Sequence, residues 1–328
     1  MVFKKMMRPV LSAGEKLYRW GLERDQKRAG AAVRLDAKAK VISVGNITWG
    51  GTGKTPLVMF LAKSLQEAGQ KVVVLTRGYG NDECQELQDR LKGVPVLVGK
   101  DRRLTGREAV EKHGAQWIIL DDGYQVWGLE RDLDIVTINA TNPFGNGRLI
   151  PAGNLREPVT ALSRAGCFVL TQSFLGRHNT ALVRQKLREV NPKAQVFEAD
   201  HHPIAFLDFR KGRPLPLDMV RDQRIAILSG IEDPMSFENT LSRLGAKIVY
   251  AARFRDHHVF TEKDLRQVFD ACQEGRVRYL ITTEKDSYRL AKLLSDERQP
   301  TRVLMLRIEI RMDDEETFLE RCFNTVHR

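Results

Sequence analysis

Short apolar runs alternate with helical stretches from Lys40 onward, and this alternation is the dominant pattern of the chain. The runs are continuous, rich in β-branched residues and closed by Gly, Asn or Asp, as expected for strands buried on both faces of a sheet. Helical stretches fit between several of them, for example residues 56–68. The pattern predicts a doubly wound parallel α/β sheet. The predicted strands are KVISVGN, KVVVLTRG, VPVLVG, QWIILDDG, LDIVTINA and GCFVLTQ.

A Pro/Gly-rich stretch at residues 196–218 interrupts this alternation and predicts two strands with a turn region. A second, smaller alternation follows, with strands at RIAILSG, AKIVYAARF, RYLITTEKD and RVLMLRIEI and helices over 237–244, 261–274 and 288–294. The sequence therefore predicts two α/β/α domains joined by a short β linker. The predicted segments are an N-terminal arm at 1–40, a first domain at 41–195, the linker at 196–218 and a smaller domain at 219–328.

The N-terminal arm carries most of the excess positive charge. Residues 1–40 hold eleven Lys and Arg against four Asp and Glu, whereas the whole chain has a net charge of +11. Met6, Val10, Ala13, Leu17 and Trp20 recur every three or four residues, which predicts one apolar face of a helix. Two interpretations stay open. The apolar stripe lies on an anionic membrane surface, or it packs on the body of the protein.

Composition bounds the remaining possibilities. A length of 328 residues suits two domains. The four cysteines are far apart and form no C-x-x-C pair, which argues against a disulfide framework and a zinc site and favours a reducing cytoplasm. The longest uncharged runs are shorter than the roughly 20 apolar residues that a bilayer requires. We therefore expect no membrane-spanning segment.

A phosphate-binding loop follows the first predicted strand, in the stretch GNITWGGTGKTPLV at residues 45–58. Glycines let backbone N–H groups approach phosphate oxygens, a Lys reaches the β- and γ-phosphates, and a hydroxyl binds Mg²⁺. Thr48 occupies the position of the usual first glycine, but the loop opens a predicted helix, whose N-terminus favours an anion. The predicted nucleotide-binding residues are Gly50, Gly51, Thr52, Gly53, Lys54 and Thr55.

Two acidic residues end the fourth predicted strand, where ligands of open α/β sheets collect. Asp121 and Asp122 are expected to supply a Mg²⁺ ligand and a group that orients the nucleophile. A helix N-cap is the alternative for one of the two.

Eight blocks in order resemble the tetraacyldisaccharide 4'-kinase family, the lipid A kinases of Gram-negative bacteria. They are SVGNITWGGTGKTP, TRGYG, VPVLVGKDRR, ILDDGYQ, RDLDIV, NPFGNGRLIPAGNLREP, FRDHHVFT and ITTEKD. The resemblance implies a P-loop NTPase-like first domain. It also implies transfer of the γ-phosphate of ATP, with Mg²⁺, to the 4'-hydroxyl of a tetraacylated glucosamine disaccharide 1-phosphate. The implied location is peripheral, at the cytoplasmic face of the bacterial inner membrane.

The resemblance also implies residue roles. Lys54 clamps phosphates and Thr55 binds Mg²⁺. The family's Gly-Asp-Glu-Pro segment matches NDEC here, so Asp82 becomes the catalytic base and Glu83 a metal-side carboxylate, although Asn81 and Cys84 replace the flanking Gly and Pro.

In FRDHH the resemblance implies that His257, ahead of His258, pairs with Asp82. TTEKD is expected to line a cleft or act as a hinge rather than to take part in catalysis.

Basic and amide side chains complete the predicted site. Arg102 and Arg156, ahead of Arg103, are candidates for contacts with the γ-phosphate or the substrate 1-phosphate, because a guanidinium binds phosphate bidentately. Val126 replaces a family His, and Gln125 remains as a metal-side ligand.

Two other classes of protein were weighed. A regulatory or metal-delivery GTPase of related fold shares the phosphate loop, but the guanine-reading Asn-Lys-x-Asp is missing, and no Cys/His cluster offers a site for metal cargo. Nucleic-acid binding lacks an aromatic-studded basic sheet or a helix-turn-helix signal, so we expect no nucleic-acid partner.

Overall fold

A computed structural model of the chain describes residues 2–36, 38–78, 81–294 and 301–324, with the side chains of 2–9 and 81 left out. The chain divides into two compact units. Unit 1 comprises Met1–Gly78, Arg90–Asp200 and Ile310–Arg328, and unit 2 comprises Tyr79–Asp89 and His201–Glu309. The domain boundaries predicted from the sequence concern segments that fold independently, and they stay a prediction.

The secondary-structure elements follow the predicted alternation. The helices of the described residues are α1 Val2–Arg28, α2 Lys54–Glu67, α3 Asn81–Arg90, α4 Arg102–His113, α5 Arg177–Val190, α6 Pro234–Arg243, α7 Glu262–Glu274, α8 Glu284–Leu290 and α9 Glu315–Phe323. The strands are β1 Lys40–Gly45, β2 Val72–Thr76, β3 Val96–Val98, β4 Trp117–Asp121, β5 Leu133–Asn139, β6 Cys167–Thr171, β7 Gln195–Asp208, β8 Pro214–Leu215, β9 Arg224–Ser229, β10 Lys247–Arg253, β11 Tyr279–Thr283 and β12 Arg302–Met312.

Unit 1 is built on a parallel sheet with the order β7-β6-β5-β1-β4-β2-β3. Strands β1, β2, β4 and β6 are almost wholly buried, which explains their unbroken apolar sequences. Strand β1 lies between β4 and β5, so the chain winds outward from it in both directions. The loops after β1 and β4 therefore meet at the carboxyl edge where such folds bind ligands.

Unit 2 contains a smaller parallel sheet with the order β10-β9-β11-β12. One apolar cluster gathers Leu228, Phe260 and Phe269, and another gathers Phe206, Ile227 and Leu304. Helix α7 begins where Thr261 and Asp264 form a capping box. The doubly wound parallel α/β class predicted from the sequence is confirmed.

Two helices differ from the sequence prediction. Helix α3 was not predicted from the sequence: Asp82 and Glu83 lie in its first turn and Arg90 in its last, an order that suits the helix dipole. Helix α8 begins at Glu284 and ends at Leu290, whereas a helix over 288–294 was expected. It begins earlier because Thr283 caps it, accepting a hydrogen bond from the Asp286 N–H.

The N-terminal helix α1 turns its predicted apolar stripe away from the protein. Val10, Leu17 and Trp20 are 64%, 67% and 56% exposed, and Ala13 is exposed as well. Met6 is one of the residues whose side chains lie outside the described part. The interpretation in which the stripe packs on the body of the protein is therefore wrong for these positions.

The opposite face of α1 makes the contacts with unit 1. The Glu15 carboxylate accepts hydrogen bonds from the Leu149 N–H at 2.9 Å and from Arg148 at 2.8 and 3.1 Å. The Tyr18 hydroxyl donates to the Arg156 carbonyl at 3.1 Å. Gly14 lies so close to Pro151 that an added Cβ would stand 2.9 Å from its Cγ. Helix α1 thus holds the loop that ends at Arg156.

Candidate active site

The phosphate loop joins β1 to α2 in the shape that the sequence predicts. Gly50 and Gly53 have φ of 119° and 76°, which other residues rarely adopt. Gly53 stands at the N-cap of α2 and offers no side-chain cap to the first helical N–H groups. An anion at this helix end would take the place of such a cap.

Asn46 and Thr52 fix the loop from inside. The Asn46 amide donates to the Thr52 hydroxyl at 2.9 Å and to the Gly50 carbonyl at 3.3 Å. The Thr52 hydroxyl also shares a hydrogen bond of 2.7 Å with Thr137 on β5. Because Asn46 directly follows β1 and Thr137 lies on the neighbouring strand β5, the sheet positions the loop. The sequence analysis did not single out either residue.

Asp122 collects two cations at the carboxyl end of β4. Arg156 donates to its carboxylate at 2.7 Å, and Lys54 Nζ lies 3.6 Å from the same oxygen. Burial by itself raises the pKa of Asp122, but the charges of Lys54 and Arg156 outweigh it and hold the pKa below its usual value. Asp122 also has a φ of 54°, an uncommon conformation for a non-glycine residue that is enriched at functional sites.

The remaining predicted metal-side groups of unit 1 are close in sequence but differently engaged. The buried carboxylate of Asp121 accepts a hydrogen bond from Thr76 at 3.2 Å. Gln125 donates its amide N–H to the Asn46 carbonyl and to Glu157 at 2.9 and 2.7 Å. Its Oε1 is buried and accepts no hydrogen bond from the described residues.

These groups fit Mg²⁺ bound together with a nucleotide. Within the described residues no three His, Cys, Asp or Glu side chains cluster as a metal site. Mg²⁺ in phosphate-loop enzymes needs no such cluster, because a hydroxyl, one or two carboxylates and the substrate phosphates suffice. Thr55 offers the hydroxyl, Asp121 the carboxylate and Gln125 Oε1 a buried amide oxygen.

A basic cavity of about 480 Å³ opens beside this site in unit 1. Arg102 is buried in its wall and donates to the carbonyls of Gly99 and Asp121. Arg103 instead pairs with Asp101 at 2.9 Å near the surface. Val126, at the position of the family His, also faces the cavity. The other charged or polar residues that line it are Arg28, Arg77, Lys100, Asp122, Gln125 and Arg156.

Unit 2 brings Asp82 and His257 together. The Asp82 side chain is only 3% exposed, and its Oδ2 lies 3.5 Å from His257 Nδ1. His257 has a φ of 57°, and its backbone N–H donates to Asp256 at 3.0 Å. His258 points elsewhere: its ring stacks on Phe254, and its Nε2 lies 3.1 Å from the capping carboxylate of Asp264.

Glu83 is paired with Lys285. Lys285 Nζ lies 2.9 Å from Glu83 and 3.4 Å from Asp256. Burial alone lowers the pKa of Lys285, but the charges of Glu83 and Asp256 outweigh it and raise the pKa above its usual value. Lys285 belongs to the TTEKD block, for which a role in lining a cleft or as a hinge, and not in catalysis, was predicted from the sequence. The four-residue spacing of Lys285 and Arg289 was the available signal that both lie on one face of a helix.

No helix in the described part of the chain combines the length and apolarity needed to cross a bilayer.

Comparisons with known proteins point to one family. The sequence profile described as Tetraacyldisaccharide-1-P 4'-kinase matches residues 7–86 and 81–326. The tetraacyldisaccharide 4'-kinase of Syntrophus aciditrophicus strain SB is 37% identical over 320 residues, covering 88% of this chain and 83% of the relative. That of Anaeromyxobacter sp. strain K is 38% identical over 289 residues, covering 81% and 76%.

A solved structure agrees with these sequence matches. The crystal structure of the "apo" form of LpxK from Aquifex aeolicus in complex with ATP matches 99% of this chain and 100% of its own. It does so at 26% identity and a TM-score of 0.70.

Proposed function

This chain belongs to the tetraacyldisaccharide-1-P 4'-kinase family, and on that premise we propose how its side chains divide the work of phosphoryl transfer. It is a kinase that uses ATP and Mg²⁺ to phosphorylate the 4'-hydroxyl of a tetraacylated disaccharide 1-phosphate, a precursor of lipid A. The family match favours this reaction over the regulatory or metal-delivery NTPase that was the alternative from the sequence.

Binding of the nucleotide falls to unit 1. ATP supplies the phosphoryl group, and Mg²⁺ neutralises charge on its oxygens. Gly50, Gly51, Thr52 and Gly53 present backbone N–H groups, Lys54 clamps the phosphates and Thr55 faces the metal, with Asp121 and Gln125 beside it. The ion pairs of Asp122 with Lys54 and Arg156 support this division, because they hold both cations at the helix end where phosphate binds.

Removal of the hydroxyl proton falls to Asp82, which His257 holds. The observation that carries this assignment is the 3.5 Å approach of His257 Nδ1 to a nearly buried Asp82 carboxylate. A carboxylate so positioned accepts the proton as the acceptor oxygen bonds to phosphorus. Glu83 serves the metal side of the site, with Lys285 as its counter-charge.

Arg102, Arg156 and the basic cavity recognise phosphate. The cavity wall contains five Arg and one Lys against two Asp, so it favours a polyanion. We assign the substrate 1-phosphate to this wall, with Arg156 shared with the nucleotide.

Transfer of labelled phosphate from ATP to a tetraacylated disaccharide 1-phosphate, in detergent with Mg²⁺, tests the assignments. Lys54→Ala should abolish turnover. Asp82→Ala should lower kcat by a factor of about 10² to 10⁴ while ATP binding is kept. A variant at Asp82 with near-normal kcat would move the role of base to Asp121 or Asp122.

The exposed stripe of α1 supports peripheral membrane binding. Val10, Leu17 and Trp20 are exposed together, and Lys16 and Arg19 are exposed beside them. Apolar residues flanked by cations suit an anionic bilayer surface. We therefore place the enzyme at the cytoplasmic face of the bacterial inner membrane, where its acylated substrate lies, with no nucleic-acid partner.

Sedimentation with phosphatidylglycerol vesicles tests this placement. Leu17→Glu should weaken binding several-fold, because it puts a charge into the apolar stripe. Leu182→Glu on α5 is the matched control, since Leu182 is 68% exposed but lies outside the stripe. Equal binding of both variants would remove α1 from the membrane contact, and equal binding to phosphatidylcholine vesicles would remove the electrostatic part.

A further inference from the structure

Arg289 on α8 has a guanidinium that is fixed on several sides. Nη1 donates to the His258 carbonyl at 3.1 Å, and Nη2 donates to the Gly230 carbonyl at 2.8 Å and to Asp286. The guanidinium also lies over the Phe260 ring, 5.4 Å from its centroid. With the Arg289 side chain only 13% exposed, the plane of the guanidinium has little freedom.

Asp286 helps to fix the guanidinium of Arg289. Its side chain is fully buried, and its Oδ2 accepts hydrogen bonds from the Gly230 N–H at 3.0 Å and from the Thr283 hydroxyl at 2.7 Å. A buried carboxylate with that many donors is held firmly in place. Arg289 is therefore anchored to β9, to β11 and to the turn that carries His257.

The remaining nitrogen of Arg289 faces the predicted base. Nε lies 3.3 Å from Asp82 Oδ2, the same oxygen that His257 Nδ1 approaches at 3.5 Å. Both closest approaches are to Oδ2, and Asp82 Oδ1 accepts no hydrogen bond from the described residues. Two side chains thus make their closest approach to one carboxylate oxygen, while the other keeps its hydrogen-bonding capacity for a further partner.

We propose that Arg289 is a positioning residue that holds Asp82 Oδ2, so that Oδ1 is the oxygen that takes the proton of the acceptor hydroxyl. The inference rests on the proposed role of Asp82 as base. As the hydroxyl oxygen bonds to the γ-phosphorus, the bond from that phosphorus to the β–γ bridging oxygen breaks. The hydroxyl proton passes to Oδ1.

The contact between Arg289 and Asp82 is loose in the absence of ligands. Arg289 Nε and Asp82 Oδ2 are both buried, and their geometry falls short of a hydrogen bond. Hydrogen bonds of catalytic groups are often long before the reactants bind and tighten in the complex. The role of Arg289 should therefore appear in kcat, since that is where a misplaced base is felt.

A double-mutant cycle tests the proposal. Single-turnover transfer from labelled ATP is measured for the unaltered enzyme, Arg289→Ala, Asp82→Asn and the double variant. Arg289→Ala should lower the rate about 10- to 100-fold in the unaltered enzyme and less than about twofold when Asp82 is already Asn. The KM for ATP should stay within about twofold, because unit 1 holds the nucleotide.

Arg307→Ala is the matched control. Arg307 on β12 donates to Glu284, the first residue of α8, at 3.0 Å, and within the described part of the chain it forms no ion pair with Asp82. A purely structural role for Arg289 predicts similar losses for Arg289→Ala and Arg307→Ala, whether or not Asp82 is present. That result would overturn the proposal, as would an unchanged rate in Arg289→Ala.

Two further measurements keep the outcomes distinct. Added guanidinium ion should restore part of the rate of Arg289→Ala, and failure of this rescue in a folded variant counts against positioning. If Arg289→Ala does not fold, Arg289→Lys replaces it, with an expected partial loss confined to kcat. Near-normal turnover of Asp82→Asn would overturn the base assignment and the positioning role together. A disabled Asp82→Asn beside an unaffected Arg289→Ala would overturn only the latter.

Discussion

Asp122 in unit 1 and Asp82 in unit 2 are each held by a pair of neighbouring side chains. Asp122 is shared by Lys54 and Arg156, and Asp82 is approached by His257 and Arg289. The first pair lowers the pKa of a carboxylate beside the loop that we propose binds phosphate. The second pair lies closest to one oxygen of a carboxylate, and the other oxygen accepts no hydrogen bond from the described residues.

The pH dependence of stability should reveal the ion pairs of Asp122. Its pKa is lower in the folded chain than the unfolded value of about 3.9. Its contribution is therefore complete above about pH 4 and is lost as the pH falls through the folded pKa. The difference in unfolding free energy between the unaltered protein and Asp122→Asn, without ATP, should stay constant from pH 5 to 8 and shrink below pH 4.

Urea unfolding at a series of pH values measures this difference. A change centred between pH 6 and 8 would contradict the assignment, because Asp122 does not titrate there. The same pH series on Asp101→Asn serves as the comparison. Asp101 also has a lowered pKa, but it pairs with Arg103 outside the phosphate loop.

Sequence could find residues of the site only where a local pattern marks them. Lys54 and Thr55 follow from loop spelling, and Asp82 and His257 follow from family blocks. Arg289 could not be predicted as a partner of Asp82, because the contact requires α3 and α8 to be placed by the fold. Asn46 and Tyr18 were missed for the same reason: Asn46 accepts a hydrogen bond from the Arg156 guanidinium, and Tyr18 donates one to the Arg156 carbonyl.

At the scale of elements, α1 has two faces with separate tasks. The outer face carries the exposed apolar stripe, and the inner face holds the loop from Arg148 to Arg156. Hydrogen bonds from Leu149 N–H and Arg148 lower the pKa of Glu15, so this carboxylate is ionised at neutral pH. The helix that should meet the membrane thus also supports the arginine that contacts Asp122.

Glu15→Ala should separate these tasks. It leaves the buried Leu149 N–H without its acceptor, which costs about 1–3 kcal/mol of unfolding free energy. Because the loop also presents Arg156, we expect a raised KM for the lipid acceptor and unchanged binding to vesicles. Thermal unfolding and steady-state kinetics provide the measurements, with exposed Glu23→Ala on the same helix as control. Identical behaviour of the two variants would show that the inner face does not support the site.

The strands could be predicted from the sequence and some helices could not, because the two differ in how clearly burial marks their apolar positions. Strands β1, β2 and β4 are buried on both faces, so their sequences are unbroken apolar runs. Helix α3 has the sequence NDECQELQDR, in which Leu87 is the one aliphatic side chain and is fully buried. A single apolar position shows no periodicity, and the helix forms because its charges suit the dipole and its unit packs around it.

At the scale of the whole molecule, all four tryptophans belong to unit 1. Trp20, Trp49, Trp117 and Trp127 lie within Met1–Gly78 and Arg90–Asp200, so tryptophan emission reports on that unit alone. The far-ultraviolet circular dichroism signal reports on both. A comparison of the two signals therefore distinguishes unfolding of unit 1 from unfolding of the whole chain.

Binding of ATP should stabilise unit 1, which contains the tryptophans. With Mg²⁺ and ATP at 100 times its Kd, the unfolding free energy followed by tryptophan emission should rise by about 2.7 kcal/mol. Lys54→Ala should abolish this gain, because it removes the phosphate clamp. A gain of equal size in Lys54→Ala would place nucleotide binding elsewhere.

Helix α3 reaches unit 2 as a brief excursion: the chain leaves unit 1 after Gly78 and returns to it at Arg90. The predicted base is therefore encoded within the first part of the gene, whereas His257 and Arg289 are encoded far downstream. A chimera that exchanged only residues 201–309 between two relatives would combine the base of one parent with the partners of the other. The smallest module that recombination can exchange intact is discontinuous, and residues 79–89 must travel with it.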